Sequence, residues 1–250
     1  MDVDNKYGTR EIQKGLLVLM KEFDLFCARH KIKYSLAGGS LLGAIRHNGI
    51  IPWDDDLDVI VSREDYVKLL KLIKDGHEFV LSRSIWVYAL HMKNAELVNG
   101  NIPALDIFVI DNVPDLRCIN IIKLFMLMVL QGMIKKRRNY KNKSLFYRTC
   151  MVVTHFWGLL IPYKIKVQWY DRVSQIGNGK KTRYVTCYNT TFNYLKLKYK
   201  PNLLHNLIRH EFDNQEVSIT AEFDHYLKNQ YGDYMTPPEE KDRKPEHIIQ

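Results

Sequence analysis

Apolar residues recur along this chain with two different periods. Ile12, Leu16, Leu19, Phe23 and Phe26 follow one another at spacings of four, three, four and three. That spacing lines one face of an α-helix, with Lys14, Lys21, Glu22 and Asp24 on or near its polar side. Residues 33–37 (KYSLA) read as a short strand running into Gly38-Gly39, and residues 40–47 (SLLGAIRH) as a short helix capped by Ser40. Asn48-Gly49 marks a turn, and Pro52 stiffens the approach to Trp53. Residues 56–62 (DLDVIVS) alternate and are rich in β-branched side chains, which predicts a strand. A helix with Tyr66, Leu69, Leu70 and Ile73 as its stripe follows. Further strands are expected at 79–82 and 86–91, and another at 104–110 (ALDIFVI), bounded by Pro103 and Asp111-Asn112.

Two longer apolar runs come next, at 119–134 and 150–163. A spanning helix needs about 20 apolar residues. Both runs are shorter, and Lys123 interrupts the first. They are separated by the basic segment 135–143 (KKRRNYKNK). Two readings stand side by side: contact with the headgroups of an anionic leaflet, or two buried core helices joined by a solvated loop. Residues 172–200 are basic and tyrosine-rich with a turn at Gly177-Asn-Gly179, and the tail 231–240 (YGDYMTPPEE) is loop-like.

Charge sharpens this picture. The formal net charge is +9, but residues 117–200 hold 18 Lys/Arg and a single acid, Asp171, so that segment carries +17 and the remainder −8. Such asymmetry points to an anionic partner: nucleic acid, a membrane surface or a phosphorylated substrate. A length of 250 residues allows one substantial core, and 46% hydrophobic with 26% charged residues sets the chain apart from disordered sequences. Cys27, Cys118, Cys150 and Cys187 have no CxxC spacing, which argues against structural zinc and suits a reducing compartment. Residues 1–13 are polar and hold no apolar signal core, so the expectation is a cytoplasmic protein.

The acidic positions carry the chemistry. Residues two apart on a strand project from one face, so Asp56 and Asp58 aim two carboxylates at one point. These repel unless a cation lies between them. Magnesium suits the pair, being a hard ion bound by one or two carboxylates and substrate phosphate oxygens. Asp106, between Leu105 and Ile107, is costly to bury alone. It is a candidate third ligand, or the base that takes the acceptor's proton. Gly38 and Gly39 permit close backbone approach, and Ser40 offers a hydroxyl at a helix start, a place that favours phosphate.

A glycine-serine turn, a strand bearing Asp-x-Asp and a lone acid on a later strand is the arrangement of the nucleotidyltransferase superfamily. The longer string is more specific. Residues 36–47 (LAGGSLLGAIRH) followed by 48–58 (NGIIPWDDDLD) closely resemble the LicD family, as do the strand at 104–110 and the tail at 231–240. LicD enzymes move phosphocholine or related phosphate-linked groups from nucleotide-activated donors to cell-surface glycans, and fukutin-like ribitol-phosphate transferases share the signature. Ile50 departs from the family, which often carries Phe there.

The resemblance implies an α+β fold: a nucleotidyltransferase-like mixed β-sheet flanked by helices, with a mainly helical basic C-terminal portion. The expected division is a catalytic core over 1–115 and, over 116–250, a portion that completes the substrate site and contacts a membrane. It implies metal ligands at Asp56, Asp58 and Asp106, for magnesium or, as an alternative, manganese. Gly38, Gly39, Ser40, Arg46 and His47 would bind donor phosphates, while Trp53, Asp54, Asp55, Tyr231 and Tyr234 would line the substrate site. The donor is expected to resemble CDP-choline, and the acceptor to be a hydroxyl of a glycan or its lipid-linked precursor, as in lipopolysaccharide, teichoic acid or capsule. The site of action would be the cytoplasm, at the inner face of the cell membrane, with no nucleic acid as partner. Two alternatives use the same residues: a nucleotidyltransferase acting on nucleic acid or a small molecule, and an inactive membrane-surface protein.

Overall fold

The computed structural model describes residues 6–74, 76, 78–84, 86–98, 100–135 and 144–245. Most of the basic segment at 135–143 lies outside them. In chain order the elements are α1 (Arg10–His30), β1 (Tyr34–Leu36), α2 (Gly38–His47), β2 (Leu57–Ser62), α3 (Arg63–Lys74), β3 (Phe79–Ser84), β4 (Val87–Met92) and β5 (Leu105–Asn112), then α4 (Arg117–Ile134), α5 (Leu145–Leu159), α6 (Tyr163–Ser174), β6 (Val185–Cys187), β7 (Leu207–Phe212), β8 (Gln215–Thr220) and α7 (Phe223–Tyr231). The fold is α+β. Its sheet runs β1-β2-β5-β4-β3, with β6 paired to β5.

The chain forms two compact units. The first comprises Met1–Ser82, Tyr88–Val109 and Asn202–Gln250; the second comprises Arg83–Val87 and Ile110–Pro201. Residues 202–250 therefore return to the unit that holds the acids. Part of that return is a β-hairpin, β7–β8.

In the first unit, the predicted stripe of α1 is its buried face: Ile12, Leu16, Leu19, Phe23 and Phe26 are all nearly inaccessible. The helix stops at Lys31, in the left-handed region at φ 53°, whose N–H closes back on Ala28. β1 runs antiparallel to β2, placing Ser35 opposite Ile60. The β7–β8 hairpin turns through Asp213 and Asn214, both at positive φ, as a two-residue hairpin loop requires. It packs on β1, where the N–H groups of Ser218 and Thr220 donate to Tyr34 Oη (3.2 Å) and Ser35 Oγ (2.8 Å). Ser62 caps α3 by accepting the Asp65 N–H at 3.0 Å.

One local expectation is corrected. Ser40 does not cap α2; Ala37 does, in extended conformation, and the helix already includes Gly38 and Gly39. Ser40 is the third residue of the helix, within its first turn, and is buried.

In the second unit, α4 packs on α5 and α6. Gly158 brings the first two helices close, since a Cβ there would lie 2.5 Å from the Met133 carbonyl oxygen. The core gathers Trp86, Leu127, Leu130, Tyr170 and Tyr188. Two lysines are buried with it. Lys123 Nζ donates to the carbonyls of Asn112 (3.1 Å) and Ile176 (2.8 Å), and lies over the Tyr188 ring. Lys166 Nζ donates to the carbonyls of Met133 (3.2 Å) and Gly158 (2.6 Å). The second apolar run does not form one helix: α5 ends at Leu159, and Pro162 caps α6.

Candidate active site

The loop before β2 is held from below by α1. Gln13 Nε2 donates to the carbonyls of Ile51 (3.1 Å) and Asp54 (2.8 Å), and Thr9 Oγ1 donates to that of Pro52 (2.7 Å). At its start, Asp213 in the β7–β8 turn accepts the Ile50 N–H at 2.8 Å and donates its own N–H to Asn48 O at 2.8 Å. The loop is therefore pinned at both ends before the acids begin.

Asp56 immediately precedes β2, Asp58 lies within it, and Asp106 lies on β5, the neighbouring strand. One carboxylate oxygen from each lies within 4.8 Å of the others. Along β5 the pleat buries Leu105, Ile107 and Val109 and leaves Asp106 on the opposite, partly open face. Asp106 thus avoids the apolar burial that its neighbours in sequence suggest.

Four carboxylates crowd this place. Burial, together with the charges of Asp56, Asp106 and Asp54, holds the Asp58 carboxyl well above its usual range, opposed by a hydrogen bond from the Gly39 backbone. Burial, the charge of Asp56 and a hydrogen bond to Asp56 push Asp54 up to about 8. Carboxylates of this kind resist ionising unless a cation is supplied. Three convergent carboxylate oxygens form a donor set that could hold a metal ion, of the hard-oxygen kind that suits hard cations.

The glycine pair makes room for these acids. A Cβ on Gly38 would overlap Asp58 Oδ2, and Gly38 also sits at φ +50°, where a side chain is strained; a Cβ on Gly39 would lie 2.7 Å from Asp54 Oδ2. Ser40 is 2% exposed, and its hydroxyl oxygen accepts the Asp58 N–H at 2.7 Å. The Gly38 N–H points to Tyr226 Oη at 3.4 Å. Gly38, Gly39 and Ser40, expected as a phosphate cradle, are engaged here in positioning Asp58.

A cationic group lies at the other end of α2. Arg46 donates through Nη1 to the Tyr234 carbonyl (3.0 Å) and through Nε to His47 Nε2 (3.0 Å). Trp53 stands edge-on to His47, with ring centroids 6.1 Å apart, and to Tyr7 at 5.8 Å; Arg243 lies over the Trp53 ring at 5.2 Å. Burial first, then the Arg243 charge, lowers the Arg46 pKa; burial, then Arg46 and Arg243, lowers that of His47. None of the three forms an ion pair with an acid among the described residues. Arg243 was not singled out by the sequence, being one basic residue in a charged tail. Asp55 is buried, and Tyr231 is exposed near Arg46. Tyr234 is buried, its hydroxyl donating to Asp224 Oδ1 at 3.0 Å, so its ring packs the tail.

The profile of the LicD/FKTN/FKRP nucleotidyltransferase domain matches residues 31–119. Residues 31–119 are thus similar to the LicD-family domain. The lipopolysaccharide cholinephosphotransferase LicD of Haemophilus influenzae is 27% identical over 266 residues, covering 97% of this chain and 97% of that protein. Human ribitol 5-phosphate transferase FKRP is 59% identical, but over 34 residues, 14% of this chain and 7% of its own. An uncharacterized protein of Rickettsia prowazekii is 45% identical over 59 residues, 24% of this chain and 22% of its own. The LicD domain holds the three acids, the glycine pair and Trp53. Tyr226, Tyr234 and Arg243 come from outside it, on the returning C-terminal segment.

Proposed function

We propose that this chain is a LicD-type phosphotransferase that moves phosphocholine, or a related phosphate-linked group, from a CDP-activated donor to a hydroxyl of a cell-surface glycan or its lipid-linked precursor. The observation that carries this reading is the convergence of Asp56, Asp58 and Asp106 within a LicD domain. The choline group is favoured because similarity to the cholinephosphotransferase runs through the whole chain, whereas similarity to the ribitol transferase is confined to 34 residues.

Beside Asp106, the third acid, Asp56 and Asp58 would hold a magnesium ion, with manganese as a substitute. When bound, it supplies neutralising charge to the donor phosphates and the developing transition state. The remaining work falls to the chain's own groups. Gly39 N–H and Ser40 Oγ fix Asp58. Arg46, His47 and Arg243 receive the pyrophosphate. Asp106 orients the acceptor hydroxyl and accepts its proton as the hydroxyl oxygen attacks phosphorus and the nucleoside monophosphate leaves. The setting is the cytoplasmic face of the cell membrane, where lipid-linked glycans are within reach.

The test is a donor panel with magnesium and acceptor: CDP-choline, CDP-ribitol, CDP-glycerol and sugar nucleotides, read by nucleotide release. CDP-choline is expected to turn over fastest. Release from none of them would defeat the reading.

A further inference from the structure

In the second unit two helices turn apolar side chains outward while two lysines are buried. α4 has a mean hydropathy of 1.6 over 18 residues, yet only a third of it is buried. Ile121, Ile122 and Phe125 are 56–63% exposed, and on α5 Val152, Phe156 and Leu159 are 51–69% exposed. Their spacing follows the helical repeat, so each helix directs an apolar stripe outward. The cations Lys123 and Lys166 point inward instead, onto backbone carbonyls. A surface facing water has the opposite pattern, and contiguous exposed apolar side chains mark an interaction site.

We infer that the outward faces of α4 and α5 dock onto a bilayer containing anionic phospholipids, lying in its interface without crossing it. Charge selects this occupant. Residues 117–200 carry 18 Lys/Arg against Asp171 alone, with Arg117, Arg148 and Lys164 exposed on the helices themselves. A second copy would bring two such +17 segments together, which is repulsive, whereas an anionic leaflet attracts them. Trp157, Tyr163 and Trp169 are each more than 40% exposed, the aromatic types that settle at headgroup depth. Spanning is disfavoured because α4 would have to withdraw the Lys123 ammonium from its two carbonyl partners. The inference adds a surface to the proposed transfer reaction but does not depend on it, since binding is read without turnover.

The experiment is flotation of the full chain with vesicles of phosphatidylcholine plus phosphatidylglycerol, against phosphatidylcholine alone. Binding is expected to be about 10-fold stronger with the anionic lipid and to weaken with salt. The double variant Phe125→Glu/Phe156→Glu should lose at least ~10-fold in binding, with circular dichroism and melting unchanged because both rings lie outside the core. Brominated lipid should quench tryptophan fluorescence, and Trp157→Phe should remove much of that quenching. Absence of flotation with either vesicle, or full flotation of the double variant, would overturn the inference. So would a dimer that the double variant dissolves, with no vesicle binding; the face would then belong to a second copy.

Discussion

The backbone N–H of Asp58 donates to the buried hydroxyl of Ser40 at 2.7 Å, tying β2 to the first turn of α2. The serine of the glycine-serine turn therefore acts on the acid. Ser40→Ala leaves this donor unpaired, at a cost of about 1–3 kcal/mol. A melting temperature several degrees lower is expected, together with a higher magnesium requirement for turnover. Melts and magnesium titrations identical to the wild type would show that the bond does not matter.

The two glycines should differ in sensitivity. Gly38→Ala meets both a carboxylate and a positive φ, whereas Gly39→Ala meets only the Asp54 oxygen at 2.7 Å. Turnover is expected to fall ~100-fold or more in the first, an order of magnitude set by misplacing a metal-binding acid, and less in the second. The reverse ranking, measured by nucleotide release, would count against the packing argument.

Neutralising an acid should uncouple stability from activity. Asp58→Asn and Asp106→Asn are expected to abolish detectable transfer, since two carboxylates remain where three converge. In chelator, however, Asp58→Asn should melt no lower than the wild type, because it removes the desolvation of a half-buried carboxylate and its repulsion by Asp56, Asp106 and Asp54. Thermal melts with and without chelator read both effects.

The raised carboxyls give the metal-free protein a pH dependence of defined sign. Asp54 moves from the model-peptide range up to about 8 on folding. Its protonated form is the one the fold favours, so that stability is complete at acid pH and is lost as pH rises through about 8. Asp58 shifts in the same direction. His47 is shifted downward and acts in the opposite sense below its ordinary 6.5, so the comparison starts at neutrality. Between pH 7 and 8.5 in chelator, melting temperature should fall, and Asp54→Asn should flatten the trend. Added magnesium should stabilise most at the higher pH. A rise with pH in chelator would contradict this account.

Arg243 provides a test on a residue outside the LicD domain. Arg243→Ala is expected to raise the KM for donor by ~10-fold, about 1.4 kcal/mol of uniform binding, with kcat little changed. Arg243→Lys should recover part of the loss, because charge returns without the planar stacking on Trp53. An equal fall in kcat would instead mean that Arg243 acts in the transition state.

Local pattern was enough to read most elements. The stripe from Ile12 to Phe26 became the buried face of α1, and the alternation at 104–110 became β5, because helix and strand periodicity are properties of neighbouring residues. The string from Gly38 to Asp58 carried its family in its own order. Ser40 is not the cap because the helix begins at Gly38, at positive φ, with the cap at Ala37, three residues before Ser40, which leaves the Ser40 hydroxyl to bond to β2.

The sequence by itself thus determined the element types, the acidic set and the resemblance to the LicD family, all of which depend on residue identity and short spacing. Only the tertiary structure decided what meets across long separations. It placed Asp106 beside Asp56 and Asp58 through strand order, Asp213 beneath the loop at 48–50, and Arg243 over Trp53. It also decided which way the apolar runs face. Composition makes α4 apolar, but whether Phe125 or Lys123 turns inward depends on the carbonyls of Asn112 and Ile176 waiting at the other end of the ammonium. Those partners are remote in sequence, and no local period encodes them.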